Sequence, residues 1–194
     1  MNSIKILSEI QKDVQKLEQE IQQKKRELAA LRQNETPFPI KDYELTDWSE
    51  KSVKLSTLFG SQNELLVISN MGKSCRYCTL WADGFIGLTQ HLKNRAAFIV
   101  VSPDSVEVQK EFATSRGWNF PMVSDKESDF RYDLGYRDEK NVHPGAMVFT
   151  KDEKGQIYLF SRSYFGPGDN FCVLWDLMDL MPEGYNKWEP KYQY

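Results

Sequence analysis

The sequence predicts an α/β fold, a mixed sheet flanked by helices and preceded by a long N-terminal helix of coiled-coil type. Three observations carry this expectation. Apolar residues recur at heptad spacing through the first 33 positions, with no Gly or Pro among them. Beyond Asn34, short apolar runs alternate with longer amphipathic ones and end in an antiparallel pair and a last helix. Between the first buried run and its helix stands Gly72-Lys73-Ser74-Cys75-Arg76-Tyr77-Cys78, a Cys-x-x-Cys at a strand-to-helix junction. The expected parts are a heptad helix at 1–34, a Pro-containing linker at 35–41 and an α/β domain at 42–194.

In the first part, Leu7, Val14, Ile21 and Leu28 recur every seven residues, and Ile10, Leu17 and Leu31 follow three later. Lys24 is the one break in that second row. Such a seam either pairs with a copy of itself or lies on the globular domain. A homodimer through residues 3–33 is therefore one expectation and an intramolecular helix the other. The prolines of the stretch NETPFPI stop the helix. Tyr43 to Thr46 and Ser52 to Leu55 alternate polar and apolar around a polar turn, which predicts a small hairpin.

Leu65 to Ser69 is apolar enough to be a strand covered on both faces. A helix from Thr79 to Leu92 follows the cysteines. Ala96 to Val101 reads as a second buried strand, and Val106 to Arg116 as a helix stopped by Gly117. Phe120 to Val123 gives a third strand, and Ser128 to Leu134 one or two helical turns. Ala146 to Thr150 and Gln156 to Ser161 flank a turn as two strands. Asn170 to Met181 closes the order as a helix ended by Pro182.

Composition narrows the function classes. The net charge is −3, with 25 Lys and Arg against 28 Asp and Glu, so the chain lacks the basic field of a general nucleic-acid binder. No apolar run approaches the roughly 20 residues of a membrane span, and no export signal is visible at the N-terminus. With three cysteines, a reducing cytoplasm is the expected compartment. There, a thiol pair at a helix start reads first as a redox site. The helix N-terminus favours a thiolate at the first cysteine, and the second lies about one turn further on. Two inert thiols remain an alternative. So does half of a zinc site, although zinc needs roughly four ligands and only Cys172, His91 and His143 could complete it.

Several stretches carry a resemblance. The order of elements is that of the thioredoxin-like fold. Tyr43 to Phe59 with Leu65 to Ser69 resembles the opening of the alkyl hydroperoxide reductase and thiol-specific antioxidant group. Ser102 to Asp125 (SPDSVEVQKEFATSRGWNFPMVSD) is similar to the second half of peroxiredoxins. His143 to Phe149 resembles the thioredoxin stretch in which a cis-proline precedes a strand. More narrowly, Cys75-x-x-Cys78-Thr79-Leu80-Trp81-Ala82-Asp83-Gly84-Phe85, with Gly117-Trp118-x-Phe120-Pro121 and Ser128-Asp129-Phe130, looks like a bacterial thioredoxin-like family known as a domain of unknown function. This likeness spans about residues 40 to 194. It implies a fold and a redox class, without a substrate. The chain departs from the peroxiredoxin pattern Pro-x-x-x-Thr-x-x-Cys. With Cys78 as the reactive cysteine, Cys75 stands at the Thr and Met71 at the Pro.

On this reading Cys75 is the attacking thiolate and Cys78 the resolving thiol. Arg76, beside both sulfurs in sequence, is expected to favour the thiolate. Asp83 is a candidate for handling the proton of Cys78, or else a solvated helix carboxylate. Pro144, if cis, would bring an extended partner segment to the sulfurs. Lys73 and Arg76 give a local positive field. His143 reads as a loop residue, Cys172 as a buried unpaired thiol, and Trp81, Phe85, Trp118 and Tyr132 as core. The expected function is thiol–disulfide oxidoreduction on a protein or small-molecule disulfide, with no cofactor, metal, nucleic acid or membrane. The alternatives are a thiol peroxidase and a non-catalytic redox-sensing adaptor acting through the N-terminal helix.

Overall fold

A computed structural model describes residues 3–194, with side chains from Glu9 onward. It divides into two compact units, Met1–Thr36 and Pro37–Tyr194. The first is the helix α1 (Ser3–Gln33). Its seam residues Ile10, Val14, Leu17, Ile21, Leu28 and Leu31 are all exposed. Leu7, the first of the heptad row, lies outside the described side chains.

The second unit is built on one eight-stranded sheet. Its strands are β1 (Phe38–Ile40), β2 (Glu44–Thr46), β3 (Ser52–Lys54), β4 (Glu64–Ser69), β5 (Ala97–Ser102), β6 (Met122–Ser124), β7 (Gly145–Lys151) and β8 (Ile157–Tyr164). The spatial order is β1-β8-β7-β4-β5-β6-β2-β3. The pairs β4–β5 and β5–β6 are parallel, and the others antiparallel. The helices are α2 (Arg76–Phe85), α3 (Thr89–Arg95), α4 (Val106–Arg116), α5 (Phe130–Asp133) and α6 (Val173–Asp179). This is the thioredoxin-like mixed sheet flanked by helices. No helix among the described residues is long and apolar enough to cross a membrane.

The central strands alternate strictly between two cores, as the two-residue period of a strand requires. Leu65, Val67, Ile99 and Val101 face one side with Phe59, Phe130, Tyr136 and Phe149. Ile68, Phe98 and Val100 face the other with Cys78, Trp81, Ala82 and Phe85 of α2. Both faces are covered, so Leu65–Ile68 of β4 and Ala97–Val101 of β5 carry no polar side chain.

Three sequence expectations change. Strand β1 falls inside the stretch read as linker, because Phe38–Ile40 adds to the sheet edge against Leu159–Ile157 despite Pro39; an edge strand tolerates a missing N–H. The helix expected from Thr79 to Leu92 is two helices. Gly84 and Gly87 weaken it at the break, and Thr89 Oγ1 donates to the Phe85 carbonyl at 2.8 Å. Tyr132, read as core, is 54% exposed.

Gly145 opens β7 where two backbones meet. A Cβ there would strike the Ser163 carbonyl and come within 2.7 Å of the Tyr136 ring. The Tyr136 hydroxyl donates to the carbonyls of Ala146 (2.9 Å) and Ser163 (3.1 Å), closing the same corner. Gly145→Ala is expected to lower unfolding stability by about 1–3 kcal/mol, the usual cost of overpacking, as measured by urea denaturation of the reduced protein.

Candidate redox site

The site is built where β4 ends. Burial on both faces carries the chain out of the sheet at Ser69, and Asn70 redirects it. The Asn70 N–H donates to the Val101 carbonyl at 2.8 Å. Its Oδ1 accepts from the Gly72 N–H at 2.8 Å. Gly72 has φ +98°, and a Cβ there would lie 2.8 Å from the Asp104 carboxylate. That carboxylate accepts the Lys73 N–H at 2.8 Å. The loop thus delivers Cys75 to the first position of α2 with no freedom to spare.

Cys75 is the N-cap residue of α2, with extended backbone at φ −94° and ψ 104°. Its Sγ accepts the Cys78 N–H at 3.1 Å, the bond a capping Ser or Asp oxygen would make. Cys78 Sγ lies deeper and accepts the Met71 N–H at 3.4 Å. Cys75 is half-buried and Cys78 is 2% exposed. Both are thiols here, as is half-buried Cys172, near the start of α6.

The two sulfurs titrate apart. The Cys75 thiol is lowered from 9.0 to about 7, first by the proton that the Cys78 thiol donates to it, then by the N–H groups of Cys78 and Tyr77, with burial opposing. Cys78 is pushed far above the ordinary thiol range by that same bond to Cys75 and by burial. Cys172 is raised by burial.

The supporting residues named from the sequence stand elsewhere. Arg76 is turned toward the C-terminal segment. Its guanidinium is exposed and donates to Glu189 Oε2 at 2.9 Å, and the depression of Cys75 has other causes. Asp83 does not reach the Cys78 proton. Five residues turn it about 140° around the helix from Cys78. There Arg116 grips it through two nitrogens, Nε at 2.8 Å, and Trp118 Nε1 donates to it at 2.8 Å. The Pro144 peptide is trans, since no cis bond occurs among the described residues. Trans satisfies its surroundings: the His143 carbonyl accepts from Ser69 Oγ at 2.9 Å and the Pro144 carbonyl from the Phe165 N–H at 2.9 Å. The His143 side chain lies against Asp138 and the Tyr164 ring. Lys73 is exposed. Among the described residues no group of three or more His, Cys, Asp or Glu is arranged to hold a metal ion.

One charged pair escaped the sequence. Arg131 is 0% and Asp125 1% exposed. Arg131 Nη2 donates to Asp125 Oδ1 at 2.7 Å, its Nε to Oδ2, and its Nη1 to the Asn70 carbonyl at 2.9 Å. The pair therefore fixes the residue that starts the cysteine loop, and its cation favours the thiolate form of Cys78 against the stronger opposing effects. In sequence, Arg131 sits between Phe130 and Tyr132 in a short polar stretch with no periodicity to mark it as buried.

Residues 5–194 match the family model described as "Bacterial protein of unknown function (DUF899)", and the chain belongs to that family. Among curated proteins none matches the sequence. Among solved structures it is similar to peroxidoxin BcpB from Mycobacterium tuberculosis, at 24% identity and TM-score 0.52, over 63% of this chain and 81% of that one. It is similar also to a PrxQ variant from Xylella fastidiosa, at 16% identity and TM-score 0.55, over 69% and 89%. A peroxiredoxin-like protein from Aquifex aeolicus matches at 13% identity and TM-score 0.52, over 67% and 75%. At these identities the likeness is one of fold.

Two outcomes follow from the geometry. Alkylation of Cys75 by iodoacetamide should rise about tenfold between pH 6 and 8, because only the thiolate reacts and its fraction grows through a pKa near 7. Cys78 should stay unmodified over that range until the protein unfolds, and peptide mass mapping separates the two. Arg131→Met strands the Asp125 carboxylate in the core. It should cost about 3–5 kcal/mol in urea denaturation, the usual penalty of breaking a buried pair from one side.

Proposed function

We propose that the protein is a thiol–disulfide oxidoreductase in which Cys75 is the nucleophile and Cys78 the resolving thiol. The observation that carries this is the split between the sulfurs. The more accessible one caps a helix as a thiolate acceptor, and the buried one holds its proton.

The chemistry runs in two displacements. The Cys75 thiolate attacks one sulfur of a substrate disulfide. A Cys75–substrate bond forms, the substrate S–S bond breaks, and the departing thiolate takes up a proton. With the Cys75 charge now taken into the new bond, the thiolate that held the Cys78 proton is gone, and Cys78 attacks the Cys75 sulfur as it gives up that proton. The Cys75–Cys78 disulfide forms and the second substrate thiolate leaves with the Cys78 proton. The substrate gains two electrons and the protein loses them. Because the reduced form is stabilised by the Cys78 bond to the Cys75 thiolate, the protein disulfide should be more oxidising than one without such help.

A thiol peroxidase is the second reading, favoured by the peroxiredoxin fold of the similar structures. Against it stands the burial and high pKa of Cys78, the cysteine at the peroxiredoxin position, and the Cys75 sulfur where that pattern has a hydroxyl.

The two readings separate in one set of measurements. Equilibration with thiol buffers of graded potential should give one two-electron Cys75–Cys78 transition above the roughly −270 mV of thioredoxin. Cys78→Ser should trap mixed disulfides at Cys75 with a model disulfide peptide, and Cys75→Ser should trap none. If a hydroperoxide instead oxidises the reduced protein faster than the disulfide peptide does, the peroxidase reading replaces this one. A pair that forms no disulfide at any potential overturns the oxidoreductase reading.

A further inference from the structure

We infer that α1 is the dimerisation element of this protein, pairing in parallel with α1 of a second copy. The inference stands apart from the redox reading. The helix is 31 residues long. Its apolar seam lies open, with Ile10 67%, Leu17 58%, Ile21 53% and Leu31 68% exposed. Six large apolar side chains in one stripe are costly to leave in water, at roughly 25 cal/mol per Å² of apolar surface. The spacing of the stripe is the 3.5-residue repeat of a coiled-coil seam.

The seam also states the number of strands. Through the middle of the helix Val14 and Ile21, both β-branched, occupy the first row and Leu17 the second, with Leu31 further on, while Ile10 and Leu28 depart from that order at its two ends. β-Branched residues in the first row with Leu in the second favour two strands, and that order holds at the centre of the seam.

The flanks state the direction. On one side of the stripe stand Asp13, Glu20 and Glu27; on the other, Glu18, Lys25 and Arg32. In a parallel pair each flanking residue meets the one five positions on in its partner. Glu20 then faces Lys25 of the second copy, and Glu27 faces Arg32; only Asp13 meets a like charge, Glu18. An antiparallel pair sets the acidic flank of one helix against the acidic flank of the other in every register. Lys24 sits within the seam and opposes its copy in the parallel pair. Its amine donates to Glu27 at 2.8 Å, which draws the charge to the flank. A polar residue at one seam position fixes register at a cost in stability. Parallel order brings the two Gln33 ends together.

The test uses the full reduced chain in sedimentation equilibrium. A concentration-dependent dimer is expected. Leu17→Lys with Ile21→Lys should weaken it by at least about a hundredfold, since both buried apolar side chains are lost from each copy. The Cys75 alkylation rate of that double variant should match the parent, showing that the domain at Pro37–Tyr194 is folded. Lys24→Leu should tighten the dimer by about tenfold or more. Direction is read by Lys24→Cys in a chain whose Cys75, Cys78 and Cys172 are replaced by Ser. Air oxidation should then give a covalent dimer, because only parallel order sets the two sulfurs opposite one another. A parent that stays monomeric at every concentration, a dimer indifferent to the Leu17 and Ile21 changes, or a Lys24→Cys chain that fails to cross-link in a dimeric sample would each overturn the proposal.

Discussion

Asn70 is the residue on which the site depends. It uses every hydrogen-bonding group it owns. Its N–H binds the Val101 carbonyl of β5, its carbonyl accepts Arg131, its Oδ1 accepts the Gly72 N–H, and its Nδ2 reaches the Cys78 carbonyl at 3.5 Å. One 4% exposed residue, through its backbone and side chain together, thereby ties the end of the central strand to the cysteine loop, to the first turn of α2 and to a buried cation. The neighbouring Met71 N–H, set by the same loop, is the donor that holds the Cys78 sulfur. Burying so many polar groups is tolerable only because each has a partner.

The Arg131–Asp125 pair belongs to the same arrangement. Such a pair adds little net stability in a fold, since desolvation consumes most of the attraction. Its effect here is positional. A guanidinium presents donors in a rigid fork; two lock the carboxylate and a third locks the Asn70 carbonyl. A lysine could hold the charge without fixing that geometry.

Most of the fold was legible in the sequence, because it rests on periodicity. The heptad row, the buried runs at β4 and β5, and the hairpin of β2 and β3 each have a repeat that a strand or helix requires. The cysteine pair was legible because its function depends on local spacing at a helix start. What escaped was set by partners far away in the chain. Arg76 is claimed by Glu189, 113 residues on, and Asp83 by Arg116, 33 residues on. Adjacency to the cysteines suggested roles that the turn of the helix and these distant charges cancel. Strand β1 was hidden for a similar reason: its prolines read as linker, and only the exposed edge of β8 makes them a strand.

The lowered Cys75 thiol traces to Cys78 and Tyr77, while Arg76 is engaged by Glu189. A surface cation would have stabilised Cys75 through solvent and weakened with salt. The stabilising groups are instead the Cys78 proton and two backbone N–H donors, at contact distance and partly shielded from water. Those donors cannot swing away, since they belong to the first turn of α2, and the cap that Cys75 supplies is also what starts the helix. Reactivity and local folding are therefore the same hydrogen bonds counted twice. Asn70 and Arg131 bond to neither sulfur, so the loop is held by groups separate from the thiols it presents.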